Sequence, residues 1–551
     1  MNIIKRLILY INTIKFLKLS QIYYRIVKII IPRAKIDPKQ EVNFKRFKNW
    51  NHIDIHKEKI SKNNVALFLN NKTKLELPLD WNNPTRDKLW SFNLNYFEEL
   101  MSEGSKDKRS HHLELINNWE SHKQNLTNTN LEPYPTSLRV VNFLKAFLRG
   151  LDLEYATHQN IYYQASFVFH NLEKDILANH YFSNLKALFF AGYIYGEKKW
   201  QRFAIKEIFT ELDEQILDDG ANFELSPMYH VIFMIDLFDI LNLCFCLDEE
   251  QLPDRFVNKV KEKSQSMLNY YLQIIHGDKQ LPNFNDSSNN VAPSYEKILE
   301  YSEVLSLKIK AVSNDFELID LDKSGFYIAL LNKSKLIFDV GNIGPDYQPG
   351  HAHADTLSFE FSIDGEQIFV NSGTSEYGST KKREAQRSTR LHSTVEVNNK
   401  DSSQVWSSFR VGNRANILER KAELDSDDRT ICFSGVHNGY SSFFKKCLHK
   451  RKIKVSENSL NIIDEILSSE IEKAISRFYI HPNNRVYIQD NMFCIISKSY
   501  VMQADLTNIN YEVVDSYYCS GFGNELPNKC LQINIINNKQ KINFLYKAKN
   551  D

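Results

Sequence analysis

The apolar residues of this chain change their period near residue 315, and that change restricts the fold more than any other feature. Up to about residue 310 the period is helical. The segment "PTSLRVVNFLKAFLRG" offers a Thr or Ser cap, an apolar face and Gly150 as terminator. "NHYFSNLKALFFAGYIYG" repeats the scheme and ends at Gly196. "LSPMYHVIFMIDLFDILNLCF" does so again, with Ser226 as cap and Pro227 at the first helical position. These helices recur about every 45–50 residues, with room for a return helix between each pair. Stacked helical hairpins, hence a solenoid or toroid, are the layout that spacing suggests.

After "KAVSNDFELIDLDKSG" the runs shorten and alternate: "FYIALLN", "KLIFDVG", "TLSFEFSI", "EQIFVNSG" and "STVEVNN". Asp364-Gly365, between two of them, is a hairpin turn signal. Strand-like runs continue to "INFLYKAK" at the end. The expectation is an α+β multidomain chain: a lead-in over 1–85, a helical toroid over 86–314, and an antiparallel β domain over 315–551. No Pro- or Ser-rich linker separates the halves, so they should pack closely. At 551 residues the chain exceeds one ordinary domain.

Composition excludes some function classes. The formal charge is +1, which gives no reason to expect a nucleic-acid partner. Seven scattered cysteines show neither zinc-ribbon nor disulfide spacing, so free thiols are expected. The 27 Tyr and 35 Phe enlarge the core, or in part form stacking platforms for a flat ligand such as a sugar. Near the start, the apolar stretch between Arg6 and Lys15 has eight residues and no small-residue cleavage site after it. It makes a poor export signal and is too short to span a membrane. Basic residues recur among the apolar ones, so residues 1–35 are either an amphipathic segment for peripheral membrane contact or helices docked on the protein.

Three places could carry chemistry. In an extended strand His351 and His353 face the same side, with His392 just before another strand and Asp355 and Asn371 nearby. Such a set could bind zinc, move a proton, or only hydrogen-bond at a sheet end. Asn179 and His180 stand where a helix begins, which is also where Asn serves as a plain cap. Tyr229 falls in the first turn of the helix capped by Ser226. There the helix dipole would help its phenol toward phenolate, unless the residue is simply buried.

Taken together, NHYFSNLKAL, then ELSPMYH, then GHAHADTLSFE with NSGTSEYG, then RSTRLHSTVEVN, resemble the heparinase II/III family of polysaccharide lyases. "LWSFNLNYFEEL" and "EPYPTSLRVVNFLKA" resemble its helical half, and the likeness runs from about residue 85 to 415. The resemblance implies an incomplete (α/α) toroid followed by a stacked antiparallel β domain, with an anionic polysaccharide in the cleft between them. It implies uronate cleavage by β-elimination, with Asn179 and His180 neutralising the carboxylate and Tyr229 and His351 as catalytic residues. It implies a structural zinc held by His353, His392 and a third ligand at Asn371. An Asp is expected at that last place, and an amide is a poor ligand beside a carboxylate, so the departure weakens the case for zinc. No organic cofactor is implied. Arg139 and Arg387 are candidates for further carboxylates or sulfates. Tyr377 and Trp90, with Tyr96 and Trp406, are candidates for contacts to sugar rings. Without an export signal, the expected substrate is a bacterial surface glycan rather than animal heparin, although the family resemblance points to the periplasm. A uronate C5 epimerase and a non-catalytic glycan-binding protein remain as alternatives.

Overall fold

The structure is a computed structural model and describes residues 3–31, 41–123, 130–248, 251–310, 315–468 and 471–549. Its helical half stacks hairpins around three inner helices, Pro133–Leu148, Ala178–Ile194 and Pro227–Phe245. Nearly every residue of these three is buried, which is why their sequences are apolar almost all round rather than on one stripe. The return helices Tyr155–His170, Lys198–Gln215 and Asp254–Ile274 lie outside them and bury one face each. Pro227–Phe245 is long and apolar enough to cross a membrane, but 83% of its apolar window is buried inside the protein, so it is a core helix.

An ionic cluster ties the inner helices together inside this apolar core. Lys186 donates to Asp236 at 2.7 Å and to Asp239 at 2.5 Å, and Lys145 donates to the same Asp239 oxygen at 2.8 Å. Burial opposes charge on Asp239, but the two ammonium groups outweigh it and hold its carboxyl at about 2. Each of the three helices contributes to the cluster, so their mutual rotation is pinned. Because the helices alternate in direction with their return partners, all three inner N-termini open at the same edge of the toroid.

The β half is two antiparallel sheets stacked face to face. In one, the strand order places Phe326–Leu331 and Ser334–Asp339 beside Phe359–Ile363 and Glu366–Val370, then Ala474–Ile480. Between the two sheets lies a core that includes Phe338, Phe361, Phe433, Ile462 and Phe544. The outer face of the first sheet is covered as well: Ile328 and Ile337 pack against Tyr270, Ile274 and Phe284 of the helical half. All six residues of Phe326–Leu331 are therefore buried, and its sequence reads as a continuous apolar run.

Asp364-Gly365 forms the expected tight hairpin, with Ile363 paired to Glu366 and φ of 52° and 78° at the two turn residues. The tip of this hairpin abuts the segment after Asp254–Ile274. A Cβ on Gly277 would lie 2.9 Å from the Gly365 Cα, so the two backbones touch with no side chain between them. The lead-in contains the helices Ile3–Ile14 and Leu19–Ile30 and the short hairpin Val65–Phe68/Asn71–Lys74. Residues 1–2 and 32–35 of the segment expected to contact a membrane lie outside the described residues.

Candidate active site

The site lies where the three inner N-termini meet the loops of the β half. Tyr134, Asn179, His180 and Tyr229 all come from the first turn of an inner helix, and all are half-buried at this edge. Two of these helices are entered through strained backbone: φ is 67° at Leu177, 51° at Ala178 and 56° at Leu225. Such φ values on non-glycine residues cost energy and persist where surrounding contacts fix them. Asn179 is not the helix cap, since Leu177 occupies that position without a side-chain cap bond. Ser226 is a cap, as its spacing predicts: its Oγ accepts from Tyr229 N at 3.2 Å and donates to the backbone oxygen of Asp286.

The Tyr229 ring stacks on the His351 ring, with centroids 3.7 Å apart and planes 24° apart. Tyr377 donates from its hydroxyl to the Tyr229 hydroxyl at 3.2 Å. The helix N-terminus does not favour phenolate here. Burial, the neighbouring tyrosines and the Asp286 charge push the Tyr229 hydroxyl well above its usual range, which corrects the expectation drawn from the helix dipole. His180 stacks on Tyr134, centroids 4.2 Å apart, and its Nδ1 meets Glu173 at 3.1 Å. Burial works against its charge, but the Glu173 carboxylate outweighs burial and raises the imidazole above its ordinary value.

Two carboxylates complete the arrangement. Glu224 is buried, accepts the Asn179 backbone N–H, and lies 3.5 Å from His351 Nε2. Burial raises its carboxyl above the ordinary range, toward the protonated form. Asp286 is fully buried and accepts from Arg383 through both guanidinium nitrogens, from His351 Nδ1 at 3.0 Å, from His353 Nε2 at 2.8 Å and from Thr374 at 3.2 Å. Burial alone would raise it, but Arg383 and the two imidazoles hold it well below the usual carboxylate range. With Nδ1–H given to Asp286, the neutral His351 ring keeps a lone pair on Nε2.

His351 and His353 are not in a strand; they sit in irregular backbone before Phe359–Ile363. The alternation argument for a shared face therefore does not apply, and the two rings converge instead on the two oxygens of one carboxylate. His392 Nδ1 donates to Ser388 O at 2.8 Å, which leaves its Nε2 as an acceptor. His353 Nε2 donates to Asp286, which leaves its Nδ1 as an acceptor. These two acceptor nitrogens face each other at 3.1 Å. Burial pulls His353 down to about 4 and lowers His392 too, so a proton between them is disfavoured. The Asp355 carboxylate completes a buried trio whose donor atoms lie within 4.8 Å of one another. Two imidazole lone pairs and a carboxylate are a fitting donor set for a divalent metal such as zinc. The carboxylate beside the histidines is Asp355. The Asn371 amide is engaged elsewhere, accepting from Ser393 N at 2.9 Å and reaching Ser358 Oγ at 3.4 Å.

Several sequence candidates lie away from the groove surface. Arg139 is fully buried, bonded to Gln164 and the Asn95 carbonyl and stacked 4.4 Å over Trp119. Burial pulls its guanidinium down to about 9, and it braces the toroid rather than meeting a ligand. Arg387 is buried too, with two nitrogens on the Ala352 carbonyl at 3.1 and 2.8 Å, so it holds the His351–His353 loop from behind. Trp90 packs edge-on against Phe68 in the helical core, and Tyr96 is also buried. Trp406 packs against Tyr10 of the Ile3–Ile14 helix. Tyr377 does reach the groove, as does Phe409, 42% exposed and edge-on to His351.

Sequence reasoning missed Glu224, Asp286, Arg383 and Tyr134. Glu224 lies two residues before a recognisable helix cap, and Asp286 lies in the polar run "NFNDSSNN", which has no period. Burial of the first six residues of that run, Asn283 to Ser288, could not be read from its largely polar composition. Replacing Asp286 by Asn should leave Arg383 buried without a counter-charge and cost about 3–5 kcal/mol of stability. Chemical denaturation should show the loss.

Family models match both halves: "Heparinase II/III N-terminus" over residues 124–307 and "Heparinase II/III-like, C-terminal" over 314–535. A heparin-sulfate lyase of Bacteroides stercoris is 22% identical over 332 residues, 56% of this chain and 46% of that protein. The match thus spans under half the length of that curated relative. A crystal structure of heparinase III superposes with a TM-score of 0.68 at 14% identity, covering 97% of this chain and 85% of the other. The heparan sulfate lyase of Pedobacter heparinus superposes with a TM-score of 0.55 at 16% identity, covering 85% and 78%. At such identities the structural likeness establishes the fold: a helical toroid followed by an antiparallel β-sandwich.

Proposed function

The chain belongs to the heparinase II/III family, and on that premise we propose that it is a lyase cleaving a uronic-acid-containing anionic polysaccharide by β-elimination. The observation that carries the reading is the contact of the Tyr229 phenol with the His351 imidazole. Their rings touch, so a sugar lies across their polar edges rather than between them. Taking the C5 proton of a uronate places a second negative charge on a group already ionised. Donors must therefore meet the carboxylate as charge builds. His180, whose hold on a proton the Glu173 carboxylate strengthens, and the Asn179 amide are the groups suited to that task. Glu224 beside them, shifted by burial toward its protonated form, opposes a uronate carboxylate less than an exposed glutamate would.

His351, whose Nδ1–H is fixed on Asp286, presents the Nε2 lone pair that a base needs at C5. Tyr229, held neutral by burial, is the form that an acid needs at the departing O4. The C5 configuration of the sugar, which sets the face carrying the proton, decides whether these two roles stand or exchange. Elimination leaves a 4,5-unsaturated uronate. A bacterial surface glycan is the proposed substrate class. Zinc would be held by His353, His392 and Asp355, where it would fix the loop that carries His351. It is structural, and no chemical step passes through it.

A Tyr229→Phe variant, folded by circular dichroism, should lose about 100–10,000-fold in turnover. The assay is the ultraviolet absorbance of the conjugated product on a panel of uronic-acid glycans. Solvent deuterium entering C5 with no absorbance gain would reassign the wild-type protein as an epimerase. The His180 cation exists below its raised pKa and is lost above it, so KM for a uronate glycan should rise as pH climbs past that point. His180→Gln should flatten this dependence. Elemental analysis of the purified protein should find about one zinc per chain. His392→Ala should abolish it, and a metal-free wild type would refute the zinc assignment.

A further inference from the structure

The two helices Ile3–Ile14 and Leu19–Ile30, joined by a short turn, each have one face fastened and the other bare. The fastened face reaches both halves of the protein. Gln21 donates to the Ile176 and Tyr347 carbonyls, and Trp406 donates to Thr13 at 3.2 Å. Lys18 pairs with Glu214 at 2.6 Å, Lys28 pairs with Asp175, and Arg414 lies 3.7 Å over the Phe16 ring. The bare face is a row of large apolar side chains: Leu7, Ile8 and Ile11 on one helix, Tyr23, Ile26 and Ile29 on the other, each between 49% and 85% exposed. Eleven of the 29 exposed large apolar residues among the described residues fall between Ile4 and Ile31. Exposed apolar residues elsewhere are scattered, as on any soluble surface; a concentration like this marks an interaction face.

Charge identifies what covers it. Residues 1–36 hold eight Lys or Arg and no Asp or Glu. Among the described residues, no carboxylate lies within 4 Å of Arg6, Lys15 or Arg25. A second copy laid on this face would oppose like charges. We propose that this pair of helices docks on a lipid bilayer bearing anionic headgroups, with the isoleucine row in the acyl boundary and Arg6 and Lys15 at the headgroups. The position carries a consequence for the groove. The loop that receives the Ile3–Ile14 helix through Trp406 also presents Phe409 to His351 and Tyr377, with ring centroids 6.1 and 5.2 Å apart. Docking would therefore set the site beside the bilayer, separated from it by that loop and the helix Ile3–Ile14, near glycan chains anchored there.

The test is co-sedimentation of the full chain with vesicles of phosphatidylcholine alone or with about one-third phosphatidylglycerol. Binding is expected to the anionic vesicles and to fall with added salt. Joint replacement Ile8→Ser, Ile11→Ser, Tyr23→Ser and Ile26→Ser should lower the bound fraction at least about tenfold, with the thermal melt followed by circular dichroism unchanged. A charge-only variant, Arg6→Glu and Lys15→Glu, should do the same, with Arg25 left in place because its Nε donates to the Asp175 carbonyl. The proposal is overturned if the wild type stays in the supernatant with both vesicles, or if the charge-only variant pellets as the wild type does. It is also overturned if light scattering finds a dimer that the serine variant dissolves, since a second copy then covers the face.

Discussion

Asp286 sits with no solvent exposure between a loop of the helical half and three segments of the β half, and its charge is what makes that junction hold. An isolated carboxylate there would be costly; the Arg383 fork and two imidazole N–H groups make it the form that persists. One group thereby orients the catalytic candidate His351, selects the tautomer of His353, and fastens the two layers. The arrangement follows the logic of a carboxylate behind a histidine, where the distant partner decides which ring nitrogen faces the reaction. It also sets the metal candidate: with Asp286 accepting from His353 Nε2–H, His353 can offer only Nδ1 toward His392 and Asp355.

The toroid contributes in a different way. It supplies position rather than charge, through three inner helices that begin at the same edge and are locked by the Lys145, Lys186, Asp236 and Asp239 cluster. Each helix places one or two polar side chains in its first turn, so rotating any of them would carry its residue out of the groove. Burying four charges inside an apolar core is costly unless they satisfy one another. Their value here is the fixed registry of helices that other side chains depend on.

Much of this was legible in sequence where the information is local. Ser226 before Pro227, Asp364-Gly365 between two alternating runs, and the change of period near residue 315 each announce a structure that depends on a few neighbours. Arg139, Arg387 and Trp90 were misplaced for the opposite reason. A guanidinium reads as a ligand for anions, and only the tertiary structure reveals that Trp119 or the Ala352 carbonyl has claimed it. The expectation for Tyr229 failed on magnitude. A helix end is worth about 1–2 kcal/mol at most, whereas burial among other phenols and a carboxylate acts more strongly in the other direction. Asp286 left no mark at all, because nothing in a polar, aperiodic run says that it will be enclosed.

The hairpin tip at Gly365 rests directly on the backbone at Gly277, and the Asp286 linkage lies on the same junction. Two such fastenings leave little freedom for the layers to swing apart like jaws. For the glycan proposed above, entry would then depend on the rim, where Tyr377 and Phe409 stand beside His351, rather than on the frame beneath.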